Sequence, residues 1–243
     1  MLEEEKLPIT EHLEEFRWRL IKCLAAVGVG FLASYAFSKQ IFNFLVAPLV
    51  KVMPENSHLI YTSLPEAFLT YLKVSFFAGL VLATPVILYQ IWKFIMPGLY
   101  EMERKYVAPF VIVATMFFGI GVAFAFYVVF PFGFKFFLGF STDNIYALPA
   151  LKEYLSLSIR LLLAFGITFE LPVFIFFLAK LGIVNHKMLR KQRKYAIIIV
   201  VVVAAVLTPP DVISQVLLAV PLLGLYEISI WVAYMVRKPT SKE

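Results

Sequence analysis

Three groups of polar residues stand where an apolar chain must have a reason for them. The first is Glu170. In the stretch 155–180 it is the only charged residue between Arg160 and Lys180. A helix rising ~1.5 Å per residue places it ~15 Å from each, near the middle of a ~30 Å hydrocarbon layer. A carboxyl at that depth is costly and marks a partner or a function. Pro172 follows two residues on and has no N–H to give the Thr168 carbonyl, so the helix should kink there and Glu170 and the freed carbonyl form a polar notch. Two readings stand: a structural Glu bonded to a neighbouring helix, or a site for a ligand, an inserting helix or a proton. The second group is cytoplasm-facing carboxylates, Glu14 and Glu15 in EHLEEFRWRL and Glu101 and Glu103 in PGLYEMERK. They pair locally with Arg17, Arg19 and Arg104, or they accept a cationic ligand, because a carboxylate takes a guanidinium bidentately and with charge assistance. The third group is Thr208, Asp211 and Gln215 around the Pro209-Pro210 turn. Short flanking helices would leave these polar groups at lipid depth; the alternative is ordinary turn chemistry, with Asp211 as a cap.

The elements that carry these groups follow from composition. Of 243 residues 61% are hydrophobic and 16% charged, and the mean hydropathy is +0.86. That is too apolar for a soluble domain, and several runs reach spanning length. The expected fold is all-α and polytopic, one transmembrane domain over 1–243, with spans at 21–37, 64–94, 106–130, 150–180, 195–207 and 212–235. An amphipathic interfacial helix at about 10–20, N-capped by Thr10, precedes the first span. MLEEEK is acidic where a cleavable signal peptide would be basic. Residues 38–62, broken by Pro48 and Pro54, form a connection whose IFNFLVAPLV run is too short to span. Ser63 and Glu66 form a capping-box pattern, and Pro85 should kink the second helix. The third helix should stop at Pro131, leaving FPFGFKFFLGF as an aromatic collar at the interface. NHKMLRKQRK reads as a basic loop. As a helix, 195–207 covers only ~20 Å, and Glu227 interrupts the sixth span. Pro48, Pro85, Pro209, Pro210 and Asp211 read as structural.

Six spans place both termini on one side. The Lys and Arg at 6, 17, 19 and 22, at 93, 104 and 105, at 180, 187, 190, 191, 193 and 194, and at 237, 238 and 242 then share that side: sixteen of the 22. The positive-inside rule makes it cytoplasmic, and Trp18, Trp92 and Trp231 anchor the same interface. The net charge of +6 is thereby assigned to the membrane face and not to nucleic acid. Cys23 is the single cysteine, and His12, His58 and His186 show no ligand spacing. GxSxG, HExxH, the P-loop and GxGxxG before a helix are absent, so neither an enzyme nor a metal or cofactor site is expected.

EHLEEFRWRL, TPVILYQIWKFIMPGLYEMERK, FELPVF and TPPDVISQ, in this order, together resemble the TatC family, the core of the twin-arginine protein translocase. The resemblance covers nearly the whole chain. It implies a six-helix, glove-shaped bundle in the cell inner membrane that receives folded cargo bearing an Arg-Arg signal peptide. It also implies assembly with single-span TatA and TatB proteins, self-association, and use of the proton-motive force. Residue by residue, it implies Glu15, Arg17, Arg19, Phe94, Leu99 and Glu103 for signal-peptide binding. Glu170, with Pro172, becomes the buried polar group of the concave face, and Thr208 and Gln215 a site for a partner helix. Glu101 departs from the variable or basic character expected in that loop. The rival reading is a proton-coupled small-solute transporter using Glu170, which would normally show a stronger, often inverted, repeat and more polar residues along a path.

Overall fold

A computed structural model describes residues 9–54, 58–95, 107–140, 148–208 and 211–236. Among them the regular structure is helical, apart from one isolated bridge between Ile60 and Ala150. The helices are α1 (Ile9–Ala36), α2 (Ser38–Val50), α3 (Glu66–Ile95), α4 (Val107–Phe124), α5 (Phe130–Leu138), α6 (Leu151–Lys180), α7 (His186–Lys191), α8 (Arg193–Leu207) and α9 (Val212–Met235), with a π-helical turn, Ala125–Val129, joining α4 to α5. Among the described residues five segments are long and apolar enough to cross a membrane: Leu13–Ala36, Glu66–Ile95, Ala108–Leu138, Leu151–Lys180 and Val212–Met235. At 15 residues α8 rises ~22 Å and falls short of the ~30 Å layer.

Several local expectations need correction. The interfacial helix and the first span are one helix, α1, which starts ahead of Thr10; no Pro or Gly before Gly28 breaks its hydrogen-bond ladder. The third long helix does not end at Pro131. The Phe130 N–H bonds back to the Ala125 carbonyl, five residues away, and the widened turn places Pro131 at the start of α5, where its missing N–H costs little. The aromatic stretch therefore continues as helix to Leu138. The connection at 38–50 is helix α2, which buries Leu45, Val46, Pro48 and Leu49. The basic loop is helical too: Asn185 accepts the Met188 N–H at 2.8 Å and caps α7, and α8 begins at Arg193. The sixth predicted span is helical over its expected length, and the Glu227 that interrupts its apolar run pairs with Arg193 of α8 at 2.6 Å. Pro85 and Pro172 lie inside α3 and α6, which run past them.

The residues fall into two compact units, 1–43 with 68–115, and 44–67 with 116–243. In the first, α1 and α3 meet backbone to backbone. A Cβ on Gly30 would lie 2.6 Å from the Gly79 carbonyl oxygen, and one on Gly79 would strike the Phe31 backbone. Small residues of this kind let membrane helices approach closely, where lipid offers no hydrophobic drive to hold them together. In the second unit α9 packs on α6, α7 and α8, around Ile175, Leu189, Ile230 and Ala233.

Glu66 ties two parts of the second unit together. It is buried, 5% exposed. Its Oε2 accepts the N–H groups of Thr62 and Ser63 at 2.9 and 3.3 Å, and its Oε1 accepts the Lys152 N–H at 2.9 Å. The bond to Ser63 is one arm of the expected capping box. The bond to Lys152 is not local: the α6 N-cap is Ala150, which has no side chain to cap with, so Glu66 supplies an anionic cap from outside the helix. The backbone reinforces the join, with Ile60 N–H on the Pro149 carbonyl at 3.2 Å and Leu151 N–H on the Ile60 carbonyl at 2.8 Å. Glu66→Ala should speed hydrogen exchange at the Thr62 and Lys152 amides roughly tenfold, as those donors lose their acceptor. Unchanged exchange there would mean the carboxylate does not hold this corner.

Candidate functional site

The described part of the second polar group lies on α1 beside α3, within the first unit. Glu15 and Arg19 stand one helical turn apart, the spacing at which side chains meet. Arg19 Nε donates to Glu15 Oε1 at 3.1 Å, and its Nη2 contacts the same oxygen. Arg19 Nη1 reaches the Gln90 Oε1 of α3 at 3.3 Å. The pair is mostly shielded, with Arg19 13% and Glu15 29% exposed, and Gln90 is buried. Arg17 points elsewhere. It sits 3.7 Å from Glu14, both about two-thirds exposed at 65% and 63%, and its guanidinium lies 5.8 Å from the Trp18 ring centre. An exposed pair of this kind contributes only ~0.3–0.5 kcal/mol. Phe94 packs on Phe16 with ring centres 5.6 Å apart.

Structure thus brings Glu15, Arg19 and Gln90 together, and Phe94 against Phe16, while Arg17 turns outward. The local-pairing alternative holds for both Glu14 and Glu15. Leu99, Glu101, Glu103 and Arg104 lie outside the described residues. Gln90 is the participant that sequence reading missed; as the lone amide in LYQIW it carried a signal. Chemically, the arrangement is a carboxylate that already holds a guanidinium in a water-poor setting, beside an aromatic pair.

Glu170 sits on α6 in the second unit, on the side that meets α4. Its carboxyl faces the Phe118 backbone, and the Phe118 ring lies where a Cβ on Gly166 would reach, at 2.7 Å. Its Oε1 is buried and bonds to nothing among the described residues. The Thr168 hydroxyl is engaged elsewhere, donating to the Ala164 carbonyl at 2.7 Å. Pro172 is buried two residues on. A buried carboxyl oxygen without a partner is an unfilled hydrogen-bond position, costly unless something supplies the missing group. Glu170→Gln, which keeps both donor and acceptor, should support transport, while Glu170→Ala should lose most of it with surface recognition intact. A correctly assembled Gln variant that is dead for transport would instead favour a proton relay, which needs an exchangeable proton.

At the third group Asp211 caps α9 through Ser214 N–H at 2.7 Å, as turn chemistry requires, and its Oδ2 is buried without a partner among the described residues. Thr208 Oγ1 donates to the Ala204 carbonyl at 2.8 Å. Gln215 Nε2 reaches the Val201 carbonyl of α8 at 3.1 Å, so this polar side chain clips α9 to α8. Thr208 and Gln215 therefore flank one turn, with the Thr208 hydroxyl and one Gln215 amide hydrogen engaged. Pro209 and Pro210 lie outside the described residues. Among the described residues no group of His, Cys, Asp or Glu is disposed to hold a metal ion.

Five long apolar helical segments among the described residues, with a buried carboxyl part-way along one of them, define a polytopic α-helical membrane protein. The chain belongs to the TatC family: the family described as Sec-independent protein translocase protein (TatC) matches residues 11–221. Curated relatives of that description include one from Desulforapulum autotrophicum, 53% identical over 228 residues, covering 94% of this chain and 84% of that one. Another, from Escherichia coli K12, is 41% identical over 228 residues, covering 94% and 88%. The fold superposes on a crystal structure of the twin-arginine translocase receptor TatC with a TM-score of 0.85 and 39% identity, covering 93% of this chain and 100% of that one. The chain is therefore a component of a protein translocase, a multi-pass protein of the bacterial cytoplasmic membrane and not an enzyme.

Proposed function

We propose that this chain is the receptor and core of the twin-arginine translocase, binding Arg-Arg signal peptides through Glu15, Arg17, Arg19, Phe94, Leu99 and Glu103. One observation carries the reading: Glu15 Oε1 already takes two nitrogens of one guanidinium, in a mostly shielded setting, with Gln90 holding the far side of that guanidinium. A carboxylate arranged for one guanidinium is arranged for another, and an incoming arginine can share or replace Arg19 on it. Lysine offers a point charge with no fork and would fit less well. A photo-crosslinker at position 94 should capture an Arg-Arg signal peptide and fail with its Lys-Lys version; equal capture of both would sink the reading.

On this reading 1–243 works as one transmembrane domain of six spans, α8 included, with both termini cytoplasmic. Thr208 and Gln215 receive the helix of a TatA- or TatB-type partner; Gln215 Oε1 makes no bond among the described residues and is left to accept one. Self-association and use of the proton-motive force follow from the same reading. Orientation is checked by single cysteines in a chain lacking Cys23. A Cys at position 190 should react in intact cells only with a permeant thiol reagent, and labelling by an impermeant one would invert the topology.

A further inference from the structure

The corner where α7 meets α8, HKMLRKQRK, holds a dense cluster of exposed cations. Lys187, Arg190, Lys191 and Lys194 are all exposed. The first three make no ion pair or hydrogen bond among the described residues, and Lys194 lies 5.0 Å from the centre of the Tyr195 ring. Cytoplasmic loops of membrane proteins are commonly basic, and most such charge sits on chain with no particular shape. Here the shape is built. Asn185 caps α7, His186 and Leu189 are buried, and the Tyr226 hydroxyl of α9 donates to the Leu189 carbonyl at 2.8 Å. With that face pinned, the helical period leaves 187, 190 and 191 on the outer one. Arg193 is held by Glu227. One turn beyond Glu227, Trp231 is 64% exposed, and Tyr195 is 53% exposed. Cations carried on a pinned helix therefore stand near aromatic side chains of the kind that sit at the headgroup boundary.

The length of α8 adds to this. A ~22 Å helix draws the bilayer thin around it, which brings headgroups to the level of its first turn. We propose that the α7–α8 corner binds the phosphodiester headgroup of an anionic phospholipid, with Lys187, Arg190, Lys191 and Lys194 around the phosphate and Tyr195 and Trp231 at the acyl boundary. A zwitterionic lipid brings the same phosphate with its own ammonium, which four cations repel, so net-negative lipids are preferred. Free phosphate brings the charge without the acyl chains that the two aromatics contact.

Phosphatidylglycerol titrated onto the detergent-purified chain, with bound lipid counted by native mass spectrometry, tests this. The K187Q/R190Q/K191Q variant should bind it roughly 100-fold more weakly. K39Q/K51Q/K73Q, which removes the same charge at exposed positions elsewhere, should bind near wild type. Equal losses in the two variants would reduce the effect to net charge and overturn the site. Equally tight phosphatidylcholine binding would overturn the preference for anionic lipid, and displacement by millimolar inorganic phosphate would make this a general anion site. If the triple variant does not fold, two further variants decide: Arg190→Gln should lose roughly fivefold, and K187R/K191R should retain the lipid. Any other pattern rejects the proposal.

Discussion

Glu15→Ala and Glu103→Ala should each weaken binding of an Arg-Arg signal peptide by roughly one to two orders of magnitude, while Glu101→Ala changes it little. A hydrogen bond to a charged group contributes ~1.5–3 kcal/mol, which sets that range. At Glu15 the loss is compounded. Arg19 keeps its bond to Gln90 but loses its carboxylate, leaving a largely shielded cation to meet the incoming arginines as a like charge. Glu15→Gln should fall between, since it accepts a hydrogen bond without neutralising anything. Fluorescence anisotropy of a labelled peptide on detergent-purified protein reads all four variants. If Glu101→Ala weakens binding as much as Glu103→Ala, that loop acts through bulk negative charge and the assignment of Glu103 fails.

Gly79→Val should do comparable damage by a different route. No rotamer avoids the collision, because the obstacle is the backbone of Gly30 and Phe31 and not a flexible side chain. The two helices must separate, at a cost of ~1–3 kcal/mol or more for overpacking a close contact. The Arg19–Gln90 bond spans the same two helices, so peptide binding should fall together with thermal stability in detergent. Gly28→Ala is the control: a Cβ there has nothing within 4 Å. If Gly79→Val and Gly28→Ala melt alike, the backbone contact is not what holds α1 to α3.

The contrast between what was legible and what was not follows the range of each interaction. Helices α3, α6 and α9 could be read because their apolar runs are long and their ends carry local signals, such as Asp211 before α9. The Glu15–Arg19 pair was readable for the same reason, being one turn apart on one helix. Pro131 misled because a proline inside a helical run normally ends it, and nothing in AFYVVFPFG announces a widened turn that accommodates it. The basic loop misled because charge alone says nothing of conformation; the caps and the buried Leu189 decide that. Gln90 and the far arm of Glu66 were out of reach. Each meets its partner across 71 and 86 residues respectively, and the partner of Glu66 is a backbone amide, which has no letter in the sequence.

That last separation has a consequence in time. Glu66 leaves the ribosome 86 residues ahead of Lys152, which at ~5–20 residues per second is roughly 4–17 s. Through that interval the start of α3 has formed but one of its carboxylate oxygens has no amide to hold, and water must stand in. The corner closes only when the first turn of α6 has been made. The first third of the chain therefore cannot reach its finished state alone, and a nascent chain stopped short of Lys152 would carry an open clasp at the head of α3.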